Sequence, residues 1–126
     1  MKIFTSMLAV PVLMALGASA QAACVYPQAP KSLPNGSRAT KEQMLAAQTE
    51  VKAYSQQVQE VYLPCLDKEK DEQVAALDNM DPDYTARKAA IEAMQVKKHN
   101  AALDELTALA NSWGQELKAF NDAQKK

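Results

Sequence analysis

The stretch Val61-Tyr62-Leu63-Pro64-Cys65-Leu66 puts a proline and one of the chain's two cysteines in the middle of a ladder of apolar residues at helical spacing. From Met44 the ladder runs through Ala47, Val51, Tyr54, Val58, Val61 and Cys65 in steps of three and four, the seam of a helix packed along another helix. A proline inside such a helix removes one amide bond and crowds the carbonyl four residues back, at a cost of about 3 kcal/mol. The helix must therefore bend or break at Pro64. No glycine stands nearby to turn the chain, so the expectation is a bend. The alternative is a reversal at Leu63-Pro64, which would give three packed helices.

The ends of the helices carry their own signals. Thr40-Lys41-Glu42-Gln43 reads as a capping box, Thr40 accepting from the Gln43 amide while the Gln43 side chain reaches back. Asp67 to Gln73 is an unbroken polar run, read as a solvated helical turn with Lys68 and Glu72 paired. Val74 and Leu77 resume the stripe before Asp78-Asn79-Met80-Asp81 ends it. Asp81-Pro82 restarts a helix, aspartate as N-cap and proline at the first helical position. The expected helices are about 41–78, bent at Pro64, and about 82–122. The second carries Tyr84, Ile91, Met94 or Gln95, Lys98, Ala102, Leu106, Leu109, Trp113, Leu117 and Phe120 on one side, with Gly114 as a soft spot.

Two such helices joined by a short turn lie antiparallel. A turn centred near Asn79 and Met80 sets Met44 against Leu117, Ala47 against Trp113, Val51 against Leu109, Tyr54 against Leu106 and Val58 against Ala102. It also puts Arg87 and Lys88 beside Glu69, Asp71 and Glu72. The expected class is all-α: an antiparallel two-helix hairpin, coiled-coil-like, over 40–126, preceded by an extended arm over 23–39. In that arm Pro27, Pro30 and Pro34 exclude helix and favour a polyproline-like path, and Pro34-Asn35-Gly36 signals a turn.

Residues 1–22 have the layout of a secretory signal peptide: Lys2, an apolar run from Ile3 to Leu16, then small residues around Ala20 and Ala22. The run is short for a membrane span. Cleavage is expected after Ala22, with Ala20 as the second choice. Gln21, where an acylation signal carries a leucine-like residue, argues against a lipid anchor on Cys24. Cleavage removes Lys2 and no acid, leaving a slight excess of acidic side chains. That balance argues against an electrostatic nucleic-acid binder.

In an exported protein two cysteines point to one disulfide. The arm from Cys24 to Thr40 can span about 50 Å in polyproline form, and the helix from Thr40 to Cys65 rises about 37 Å. The arm can therefore fold back along the first helix and bring Cys24 to Cys65. The alternatives are an intermolecular bond, or a lipidated Cys24 with Cys65 free.

No residue set points to chemistry. His99 has no metal-binding neighbour at helical spacing, since Gln95 and Leu103 occupy those positions, and a zinc site needs three or four ligands. No nucleophile has an activating context, and no cofactor motif is present. Cys24-Val25-Tyr26-Pro27 with Pro30, Pro34 and Gly36, followed by Met44, Tyr54 and Tyr62-Leu63-Pro64-Cys65-Leu66, resembles a group of small exported proteins of Gram-negative bacteria with no assigned function. The resemblance implies a periplasmic setting and no catalytic residue. The functional expectation is a non-enzymatic periplasmic protein-interaction module; the alternative is a small-ligand or metal carrier. Leu45, Leu63, Leu103 and Ala110 form the candidate contact face, for another protein or for a second copy in a homodimer. Neither nucleic acid nor stable membrane insertion is expected.

Overall fold

The computed structural model describes residues 23–126, so the expected leader and the expected cleavage after Ala22 lie outside the described residues. Among the described residues the chain is helical and has no strand. Residues 23–35 form neither helix nor strand. Helix α1 spans Lys41–Gln56, a π-helical segment Gln57–Tyr62 follows it, and α2 spans Leu63–Ala75. Helix α3 runs from Tyr84 to Gln124.

Helix α1 starts where the capping box puts it. The Gln43 amide donates to Thr40 Oγ1 at 3.2 Å, and the Thr40 amide donates to Gln43 Oε1 at 2.9 Å. Downstream, Pro64 neither breaks nor reverses the chain. The backbone keeps right-handed helical angles through Gln56, Gln57, Tyr62 and Leu63. What changes is the hydrogen-bond pattern: the Leu63 amide donates to the Val58 carbonyl, five residues back. Such a turn holds one residue more than an α-turn, and it sits just ahead of the proline, where the ring would crowd a normally spaced carbonyl.

The extra residue moves the buried face. The ladder read from the sequence continued to Val61 and Cys65; instead Tyr54, Val58, Tyr62 and Leu66 are buried, in even steps of four. Val61 is 65% exposed and Tyr62 only 7%. Together with Ala102 these four side chains form the core, and Leu63, Leu106, Leu109 and Cys24 pack against it. Met44 and Ala47 are buried nearer the start of α1. On α3 the inward positions follow the expected phase, with Gln95 taking the place left open between Met94 and Gln95, and with one correction: Glu116 rather than Leu117 is turned toward the rest of the molecule.

Both helix ends around the connection also differ from expectation. Helix α2 stops at Ala75 rather than 78, and α3 starts at Tyr84 rather than 82. Short aspartate side chains capture nearby amides there. Asp78 Oδ1 accepts from the Met80 amide at 2.9 Å and Asp81 Oδ1 from the Asp83 amide at 2.8 Å. Local bonds of this kind compete with helical ones. Asp81 thus still satisfies an orphan amide, but of a tight turn ahead of the helix. The ion pairs shift accordingly: Arg87 pairs with Asp81 and Lys88 with Glu92, while Lys98 is the residue that reaches Glu69, at 3.4 Å.

Gly114 lies inside α3 with open space around it, nothing standing within 4 Å of a β-carbon placed there. Gly114→Ala is expected to stabilise the monomer by about 1 kcal/mol through helix propensity alone. The check is a higher denaturant midpoint at unchanged slope.

Candidate functional site

The non-helical residues ahead of α1, expected to form an arm, touch the helices near Cys24 and again at Gly36. At the first, Cys24 and Cys65 are joined in a disulfide with a Cα–Cα distance of 5.8 Å. Pro64 and the wide turn before it set the phase in which Leu66 points inward while Cys65, half-buried beside it, meets the arm. The pairing expected from the compartment is therefore present within one chain.

Two residues further on, Tyr26 ties the arm to α1, the π segment and α3 at once. Its ring stands edge-on to Tyr62, centroids 4.9 Å apart. Its hydroxyl lies 2.7 Å from Glu105 Oε2 and 3.0 Å from the Tyr54 hydroxyl. A carboxylate only accepts, so Tyr26 gives its single proton to Glu105 and Tyr54 donates to Tyr26. That chain satisfies the buried Tyr54 hydroxyl, which would otherwise be costly.

Partial desolvation, then the bonds to Tyr54 and Glu105, hold the Tyr26 proton well above the ordinary tyrosine range. A group whose folded pKa is raised stabilises the fold below its unfolded pKa and loses that contribution as pH rises toward the folded value. Stability should therefore fall above about pH 10, where a free tyrosine ionises. In Tyr26→Phe that alkaline fall should be shallower, and the last-ionising tyrosine should vanish from an absorbance titration.

The far end of the arm is fastened by Gly36. Asn35 organises a turn, its carbonyl accepting from the Arg38 and Ala39 amides at 3.1 and 2.8 Å. Its side chain accepts from the Ser37 amide and hydroxyl. The turn lays Gly36 directly on α3: its amide donates to Glu116 Oε2 at 2.6 Å. A β-carbon there would overlap the Glu116 carbonyl oxygen and stand 2.9 Å from the Phe120 amide nitrogen. No described glycine has positive φ, so Gly36 is needed for close approach rather than for an unusual backbone angle. Between the two fastenings Pro27 is buried and Leu33 half-buried.

The residues of the candidate contact face differ in exposure. Leu45, Leu103 and Ala110 are exposed, but Leu63 is half-buried against the core. Val61, Met94, Val96 and Leu117 are also exposed. His99 is half-buried, and among the described residues no group of three or more His, Cys, Asp or Glu side chains could hold a metal ion. A cleft of about 370 Å³ borders the disulfide, lined by Ala23, Cys24, Cys65, Lys68, Glu69, Glu72 and Gln73. No described helix is long and apolar enough to cross a membrane. Compared with family models, with curated proteins and with solved structures, the chain matches none.

Sequence reasoning missed Tyr26, Glu105 and Glu116 as fastening residues. The two glutamates fall on the helix exterior by period, and a tyrosine in a proline-rich arm has no periodic partner. The close helix contact of Gly36 was equally hidden, because Asn-Gly is already accounted for by a turn.

Proposed function

We propose that the chain is a non-enzymatic periplasmic interaction module, an antiparallel helical hairpin braced by its extended arm, which works by presenting a surface to another protein chain. The observation that carries this reading is the contrast between a firmly fastened arm and a set of bare apolar side chains on the helices. Val61 and Leu45 on the first helical run, and Val96 and Leu103 on α3, are exposed. Exposed apolar surface of this kind marks contact sites more often when it is contiguous than when scattered. The hairpin direction is supported by the bond that Gln95 donates to Asp67, near the closed end, and by the bonds between Tyr26 and both Tyr54 and Glu105, further from it. The periplasmic setting is supported by the disulfide, which persists in oxidising compartments.

The cleft beside the disulfide keeps a second reading in view, a carrier of a small ligand. Lys68, Glu69, Glu72 and Gln73 are four of its seven lining residues, a larger charged and polar share than in the pockets that hold small molecules tightly. A photoreactive residue placed at position 61 or 103 of the exported protein separates the two in living cells. The interaction module predicts a discrete cross-linked protein adduct from at least one position. A carrier predicts none from either.

A further inference from the structure

Helix α3 has a second seam. From Ala86 to Leu117, alternate steps of three and four residues land on alanine, glycine, valine or leucine at every position except Asn100 and Thr107. No charged residue falls on this line, although the same span contains Arg87, Lys97, Asp104 and others. All of its positions are exposed, including the large side chains Val96, Leu103 and Leu117. It is distinct from the inward seam through Ala102 and Leu106, and it lies on the flank away from the arm. At 3.6 residues per turn, Leu103 points about 160° from Glu105, which holds Tyr26. A helix carrying two such stripes, about 48 Å long here, is built to touch two helices.

We infer that the second stripe pairs with the same stripe of a second copy of this chain, antiparallel and across a two-fold axis. This deepens the interaction-module reading and depends on it. The charges name the occupant. The midpoint of the stripe falls between Ala101 and Ala102. Along one edge stand Asp83, Lys97, Asp104 and Lys118, and two-fold pairing about nearly the same midpoint sets Lys97 against Asp104 of the second copy and Asp83 against its Lys118. Each contact occurs twice, as an isologous interface requires. Asp83, Lys97 and Asp104 form no ion pair among the described residues, while Lys118 pairs with Asp122 on its own helix at 2.8 Å, so the Lys97–Asp104 contacts are the ones that decide the register. Near the axis the polar Asn100 meets Leu103 of the second copy. A single asparagine in such a seam sets register at some cost in strength.

Sedimentation equilibrium of the disulfide-intact protein, over a wide concentration range, tests this. The wild type is expected to pass from monomer to dimer. Leu103→Glu should remain monomeric with its helical signal unchanged, because the side chain it replaces lies outside the core. Lys97→Asp and Asp104→Lys, each alone, should weaken the dimer by about tenfold, since each sets like charges together twice. Mixing these two variants should restore a heterodimer of wild-type strength. That recovery requires the antiparallel register.

A wild type that stays monomeric at every soluble concentration overturns the inference, as does a dimer indifferent to both charge changes or one not restored by mixing. These failures are distinct from failure of the module reading. A photoreactive residue at position 103 that cross-links only to a protein of another mass overturns self-pairing and leaves the module standing, whereas no adduct from any exposed position removes both.

Discussion

Cys65→Ser is expected to lower the thermal midpoint by more than about ten degrees. The bond closes a loop spanning 41 residues of sequence, for which the chain-entropy model gives about 4 kcal/mol. In a domain of about a hundred residues each kcal/mol moves the midpoint by about 4–8 °C. Among the described residues the core is small, a cluster of five buried side chains with a few half-buried neighbours and with Met44 and Ala47 buried apart from it, so it has little else with which to absorb the loss. Helix content at low temperature should survive, since Gly36 and Tyr26 still hold the arm. A thiol reductant should reproduce the effect in the wild type and add nothing in the variant. A midpoint shift of only one or two degrees would mean that the arm carries none of the stability assigned to it.

Gly36→Ala should cost about 2–3 kcal/mol, a large effect for a single methyl group at a turn. The added carbon meets the backbone of α3, which cannot swing aside as a side chain could. The turn must lift, and the bond from the Gly36 amide to the Glu116 carboxylate goes with it. Hydrogen bonds to charged groups contribute about 1.5–3 kcal/mol. Gly114→Ala is the natural control, the same chemical change with the opposite sign. Urea denaturation of the two variants beside the wild type reads both, and a Gly36→Ala protein as stable as the wild type would show that the arm does not lie on α3.

The sequence carried the helical class, the capping box at Thr40 and the cysteine pairing, because each follows from local chemistry or from compartment. It carried the buried face of the first helical run only as far as Val58. Beyond that point a period of 3.6 residues predicts Val61 and Cys65, and the π segment hands those roles to Tyr62 and Leu66. Pro64 signalled a disturbance. It did not signal whether the backbone would bend, break or widen, since all three relieve the same clash. The connection was misjudged at both ends because Asp78 and Asp81 serve turns as readily as caps. Tyr26 and Gly36 act through long-range contacts with Glu105 and Glu116, and nothing in their neighbours announces such partners.

Native mass spectrometry of the protein purified from a periplasmic extract of cells expressing residues 1–126 bears most directly on the reading of this chain as an arm-braced interaction module. The expected species begins at Ala23, has the mass of a chain with its two cysteines joined, holds no small molecule or metal, and appears as monomer and dimer. A stoichiometric bound ligand or metal ion, or a chain that keeps its leader and both free thiols, would contradict it.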